Sequence, residues 1–189
     1  MKFTYELSGI GWASGMLEIN NQESYFNVSY LSEPIKDLLD GLLQLLPGCV
    51  PEDELQTEVT FEWYSEPGGL KWMLKCLGHE KLNISIVSYA DMYCKSEANK
   101  SVEIETECSL FDFINEVVLA FEQLIVKHGF VGYRSTWCRG EFPLSSLLIL
   151  KNYMNTRKPF PSEIDYNDGI EVEKTSIKEE MKLLLQVTL

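Results

Sequence analysis

Cations are scarce in this chain: 16 Lys and Arg stand against 29 Asp and Glu, a formal net charge of -13 and a pI near 4.6. Phosphate recognition needs clustered Lys and Arg, so the balance argues against a nucleic-acid partner. It favours instead either solubility or a basic protein partner. Histidine is rarer still, with His79 and His128 the whole complement, which leaves few players for general-base or metal-water chemistry, although carboxylates can do similar work. The five cysteines, Cys49, Cys76, Cys94, Cys108 and Cys138, include no C-x-x-C pair. An odd, unpaired set predicts reduced thiols and a cytoplasmic setting rather than a disulfide scaffold. No apolar run has the length of a membrane span, and Glu6 and Ser8 interrupt the first segment before a leader's apolar core could form. There is no P-loop, zincin motif or nucleophile elbow, and no internal repeat or low-complexity tract.

What is present is a chain of 189 residues, 45% hydrophobic, enough for one core. Phe3, Tyr5 and Leu7 alternate with polar residues, a two-residue period that predicts a strand. Residues 11 to 31 read as a hairpin turning at Asn20-Asn21. Ser32-Glu33-Pro34 opens a helix with Ser32 as an expected hydroxyl cap, and Pro47-Gly48 stops it. Val59, Phe61 and Trp63, then Leu70, Trp72, Leu74 and Cys76 across Pro67-Gly68-Gly69, predict a second hairpin with one aromatic face. Strands around Leu82–Ile86 and Val102–Cys108 follow, the latter with Val102, Ile104, Thr106 and Cys108 on one face. Ser109-x-x-Asp112 heads a long helix closed at His128-Gly129, and Leu144 to Met154 predicts a shorter one. The expectation is an α+β fold: a mostly antiparallel sheet of about seven strands, two or three helices packed on it, and a C-terminal tail. Residues 1–155 form one domain on this reading. Residues 156–189 are a linker, extended from Thr156 to Asp168 by Pro159 and Pro161, with a short helix after Ser176.

Candidate sites are few. Glu103, Glu105 and Glu107 share one face of their strand; they are either a solvated face offset by cross-strand Lys71 and Lys75 or an acidic docking surface whose pull falls with salt. Paired-carboxylate hydrolysis is not suggested, because same-strand neighbours do not face each other across a cleft. The loop expected between helices, His128 to Glu141, gathers Tyr133, Arg134, Trp137 and Arg139, the composition of an interface anchor; the alternative places the arginines in ion pairs and Trp137 at the core edge. Gly9, Gly11, Ala13 and Gly15 form a lane almost without side chains, which calls for close packing or a bend, or for a ligand on the lane. Cys138 with His128, and Cys76-x-x-His79, lack the partners that a thiolate nucleophile or a zinc site needs.

G-I-G-W-A (Gly9 to Ala13), S-Y-L-S (Ser29 to Ser32) and E-P-G (Glu66 to Gly68) resemble a family of small bacterial proteins without an assigned activity. In format the chain also resembles the immunity proteins of bacterial toxin systems: compact, acidic and poor in catalytic signatures. The expectation is a non-catalytic cytosolic interaction protein, of the immunity or inhibitor type, binding a basic partner; neither resemblance carries functional residues over, and the contact residues read from the chain itself are Glu103, Glu105 and Glu107 or Tyr133, Arg134, Trp137 and Arg139. The alternative is a small-molecule binding or sensing domain with a pocket lined by the glycine lane, Trp12, Trp63 and Trp72. No cofactor, metal, nucleic acid or membrane is expected in either reading.

Overall fold

The computed structural model describes residues 1–94, 96–138 and 140–186. Among them nine strands and four helices give the α+β class expected. β1 (Lys2–Gly9), β2 (Trp12–Ile19) and β3 (Gln22–Ser29) form an antiparallel meander in that order. Asn20 and Asn21 both have positive φ, 49° and 63°, the backbone that a tight two-residue hairpin demands. α1 (Pro34–Gln44) leads to a second antiparallel sheet ordered β4 (Glu58–Tyr64), β5 (Gly69–Gly78), β6 (Lys81–Tyr89) and β7 (Lys100–Ser109). α2 (Leu110–Trp137) and α3 (Leu144–Thr156) complete the body. Beyond it lie β8 (Ser162–Asn167), β9 (Ile170–Thr175) and α4 (Ile177–Leu185).

The alternating residues of both sheets turn inward as their period requires. Phe3, Tyr5 and Phe26 from the first sheet meet Trp63 from the second and Phe121 from α2, with ring centroids of 5.1 Å for Phe26–Trp63 and 5.6 Å for Tyr5–Phe121. Such edge-to-face geometry is favoured by the ring quadrupole. Trp63 and Trp72 are fully buried side by side, centroids 4.7 Å apart. The hairpin of Thr60 to Cys76 is therefore a core element. α1 closes on β4 through Gly41, where an added Cβ would lie 3.3 Å from the Phe61 ring; the residue that weakens the helix by propensity lets it approach the sheet.

Two local expectations are corrected. Ser32 does not cap α1: Glu33 holds the N-cap position without a side-chain bond, and the Ser32 hydroxyl accepts the Tyr64 N–H at 3.0 Å, tying the helix entrance to the β4 end. The residues expected to form an extended linker contain strand β8 and its turn. Asp168 (φ 51°) and Gly169 (φ 80°) form the tip between β8 and β9, a D-G hairpin signal masked by the prolines before it. The helix after Ser176 is present as α4.

Candidate functional site

β7 carries the acidic row, and its register decides which carboxylates face outward. Ile86 pairs with Ile104, but Val87 pairs with Val102, so Glu103 is the extra residue of a β-bulge. Glu103 leaves the row: its carboxylate accepts the Ser88 hydroxyl at 2.5 Å. The same slip brings Val102, expected on the buried face, to 58% exposure. Glu105 and Glu107 stay on the exposed face, where Asn83 donates to Glu105 at 3.1 Å and the Lys81 ammonium lies 3.8 Å from Glu107. The lysines expected opposite them serve another strand, Lys75 pairing with Glu58 at 3.0 Å and Lys71 standing in register with Glu62.

Registers across the sheet set out this outer face as rows: Glu58, Lys75, Asn83 and Glu107; then Thr60, Met73, Ser85 and Glu105; then Glu62, Lys71, Val87 and Val102. All but Ser85 are exposed or half-buried. It is a mixed face with a small apolar centre and a negative border. Its backbone edge is closed beside the acids. The Gln22 side chain donates to the Glu105 carbonyl and accepts the Glu105 N–H, at 3.3 and 2.8 Å, while the Asn20 amide donates to the Glu107 carbonyl at 3.0 Å. Recognition at Glu105 and Glu107 is thereby confined to side chains, since strand addition needs free backbone groups.

The segment His128 to Glu141 is not the loop expected. Gly129 (φ 63°, ψ 167°) breaks the helical path, but the chain resumes helix at once and runs to Trp137. Tyr133 and Trp137, one turn apart, point inward and are 2% and 1% exposed, with the Phe142 ring edge-on to Tyr133 at 5.4 Å. Burial pushes the Tyr133 phenol well above its usual range. These two aromatics fill the interior and offer no surface to a partner, which corrects their assignment as interface anchors. The i, i+4 spacing of Tyr133 and Trp137 was the signal for this second helical stretch. Arg134 is exposed and paired with Glu141; Arg139 lies outside the described residues. The Gly11 N–H donates to the Thr136 carbonyl at 2.8 Å, so the β1–β2 turn docks on this stretch.

The remaining constellations come apart in space. The Cys138 thiol donates to the Ser135 carbonyl at 3.8 Å and makes no hydrogen bond with His128. His79 sits exposed in the β5–β6 turn, and no group of three or more His, Cys, Asp and Glu poised for a metal occurs among the described residues. Burial pushes the Cys49 and Cys108 thiols up to about 11, so both are protonated at neutral pH. The glycine lane is filled from a neighbouring strand: a Cβ on Gly15 would lie 2.6 Å from the Phe26 ring. Trp63 and Trp72 are interior, and Trp12 is half-buried, so the aromatics considered for a pocket line none together.

Among the described residues no helix is long and apolar enough to cross a membrane. No protein family, curated protein or solved structure matches the chain.

Proposed function

We propose that this chain is a non-catalytic cytosolic binding protein that recognises a basic protein partner through the outer face of its four-stranded sheet, in the manner of an inhibitor or immunity protein. The observation that carries the reading is the pairing pattern of Glu105 and Glu107. Both carboxylates are exposed, held only by Asn83 and a distant Lys81, while Lys75 of β5 is drawn to Glu58 of β4 and Lys71 stands beside Glu62. Fixed backbone with loosely held side-chain charge is a geometry for electrostatic docking. Met73, Val87 and Val102 supply apolar contact beside it. A net charge of -13 adds long-range attraction for a cationic protein.

The test is affinity capture from the source cell with the native chain and with Glu105→Lys combined with Glu107→Lys. The native chain is expected to retain a basic protein that is released by raised salt and not captured by the variant. Identical proteins on both columns, at low and high salt alike, would sink the proposal.

A further inference from the structure

The C-terminal arm, β8–β9 with α4, makes a second surface that the sheet face does not explain. Every residue of both strands is exposed, although a two-stranded hairpin alone is at best marginally stable in water. The arm is nevertheless held at both feet. Buried Asn152 donates to the carbonyls of Lys158 and Pro159 at 3.0 and 3.1 Å, and the Pro159 ring sits where a side chain on Gly48 would be. At the other foot the buried Lys151 ammonium donates to the Leu183 carbonyl of α4. Between the feet, arm and α3 enclose a cleft of about 200 Å³. Its floor is apolar, from Leu148, Ile149 and Phe160, and Glu173 and Glu180 stand on its wall.

Those two carboxylates lack counter-ions. Lys174 is paired with Asp165 and Lys182 with Glu179; among the described residues no cation pairs with Glu173 or Glu180. On the hairpin face that carries Glu173, Ile164 stands in register with Glu173 and Tyr166 with Glu171, both hydrophobic side chains exposed, at 59% and 68%. We propose that this cleft binds an extended cationic peptide segment of another protein, with an apolar side chain on the Ile149–Phe160 floor and a Lys or Arg between Glu173 and Glu180. Glu180 accepts the Thr175 hydroxyl at 2.5 Å, a neutral partner that leaves its charge uncompensated, and an apolar floor beside carboxylates without counter-ions complements that chemistry. A second copy of this chain fits it poorly, because it would bring its own net charge of -13 to an acidic site.

The experiment titrates a short fluorescein-labelled peptide of alternating lysine and valine with the full chain and follows anisotropy at low and high salt. Saturable, salt-sensitive binding is expected, weakened roughly tenfold by Glu173→Lys with Glu180→Lys, less by Glu173→Gln with Glu180→Gln, and also by Ile149→Ser. Circular dichroism checks that each variant keeps its fold. Glu52→Lys with Glu54→Lys, an equal charge change at exposed residues belonging to neither surface, is expected to leave peptide binding intact. Absence of saturable binding, or equal binding by the cleft variants, overturns the proposal. So does a dimer in sedimentation that Ile149→Ser dissolves, since the occupant would then be a second copy. Loss of peptide binding through the Glu105 and Glu107 changes, with the cleft variants unaffected, removes the cleft and leaves the sheet-face reading in place.

Discussion

The side chain of Gln22 completes the backbone of Glu105, accepting its N–H at 2.8 Å and donating to its carbonyl at 3.3 Å. One amide thus supplies a single residue's worth of strand pairing on an edge that Asn20 closes at Glu107, and it joins the two sheets. Gln22→Leu is expected to cost about 1 kcal/mol in urea denaturation, the net value of hydrogen bonds whose exposed groups can turn to water. It also frees the β7 edge, so concentration-dependent association should rise in sedimentation. A variant as stable and as monomeric as the native chain would refute the capping role.

Gly15 lies between Tyr5 and Phe26 in register, and a Cβ there would come within 2.0 Å of the Thr4 carbonyl oxygen. Backbone cannot yield as a side-chain tip does. Gly15→Val is therefore expected to destabilise by about 3 kcal/mol or more, read as a fall in the denaturation midpoint with loss of near-ultraviolet aromatic dichroism. Phe26→Ala in the native background should lose about 3 kcal/mol by leaving a cavity over the same glycine. Little change from either would mean that the glycine is not where the sheet is tightest.

Glu122 of α2 and Lys151 of α3 form an ion pair whose side chains are each 8% exposed. Removing one partner strands a buried charge, so Lys151→Met is expected to cost about 3 to 5 kcal/mol. Replacing both, Glu122→Leu with Lys151→Met, should recover most of that loss. Both variants also remove the ammonium that holds the Leu183 carbonyl. Limited proteolysis should accordingly cut near α4 faster in both, even where global stability is recovered. If the double variant protects α4 as well as the native chain does, the Lys151 bond is not what holds the arm.

Asp37 is pushed up to about 6, first by burial, with a hydrogen bond to the Glu33 backbone and the Lys36 charge offsetting part of it. Unfolded, it titrates near 3.9. Between about pH 4 and pH 6 the folded state therefore binds more protons than the unfolded one, and this carboxyl's contribution to stability falls as pH rises through that window. Asp37→Asn should flatten that segment of the pH profile and, discounted for partial exposure, stabilise at pH 7 by on the order of 1 kcal/mol. Parallel profiles for the two proteins would show that Asp37 is not held in an unfavourable environment.

The antiparallel class, both first hairpins and the long helix were legible because alternation and helical period are local consequences of which residues must leave water. Asn20-Asn21 and a break at Gly129 were legible as well, since positive φ restricts the residues that adopt it, but the helix expected to end there resumes and runs to Trp137. The same rule applies to Asp168-Gly169, where Pro159 and Pro161 give the preceding residues the composition of a linker and mask the alternation of Ile164 and Tyr166. The bulge at Glu103 left no local mark. It removes one carboxylate from the row and exposes Val102, and it is set by the register in which β7 pairs with β6.

The candidate site divides in the same way. Sequence by itself determined that the chain is acidic, that Glu105 alternates out of the interior, and that Trp63 and Trp72 share an inward face, because charge and side-chain alternation are properties of the covalent chain. Tertiary structure decided that Tyr133 and Trp137 are interior, that Lys75 answers Glu58, that Gln22 closes the β7 edge, and that Glu173 and Glu180 share a cleft with Ile149. Each of these depends on the approach of residues far apart in sequence, and that approach is set by how the sheets and helices pack around one core.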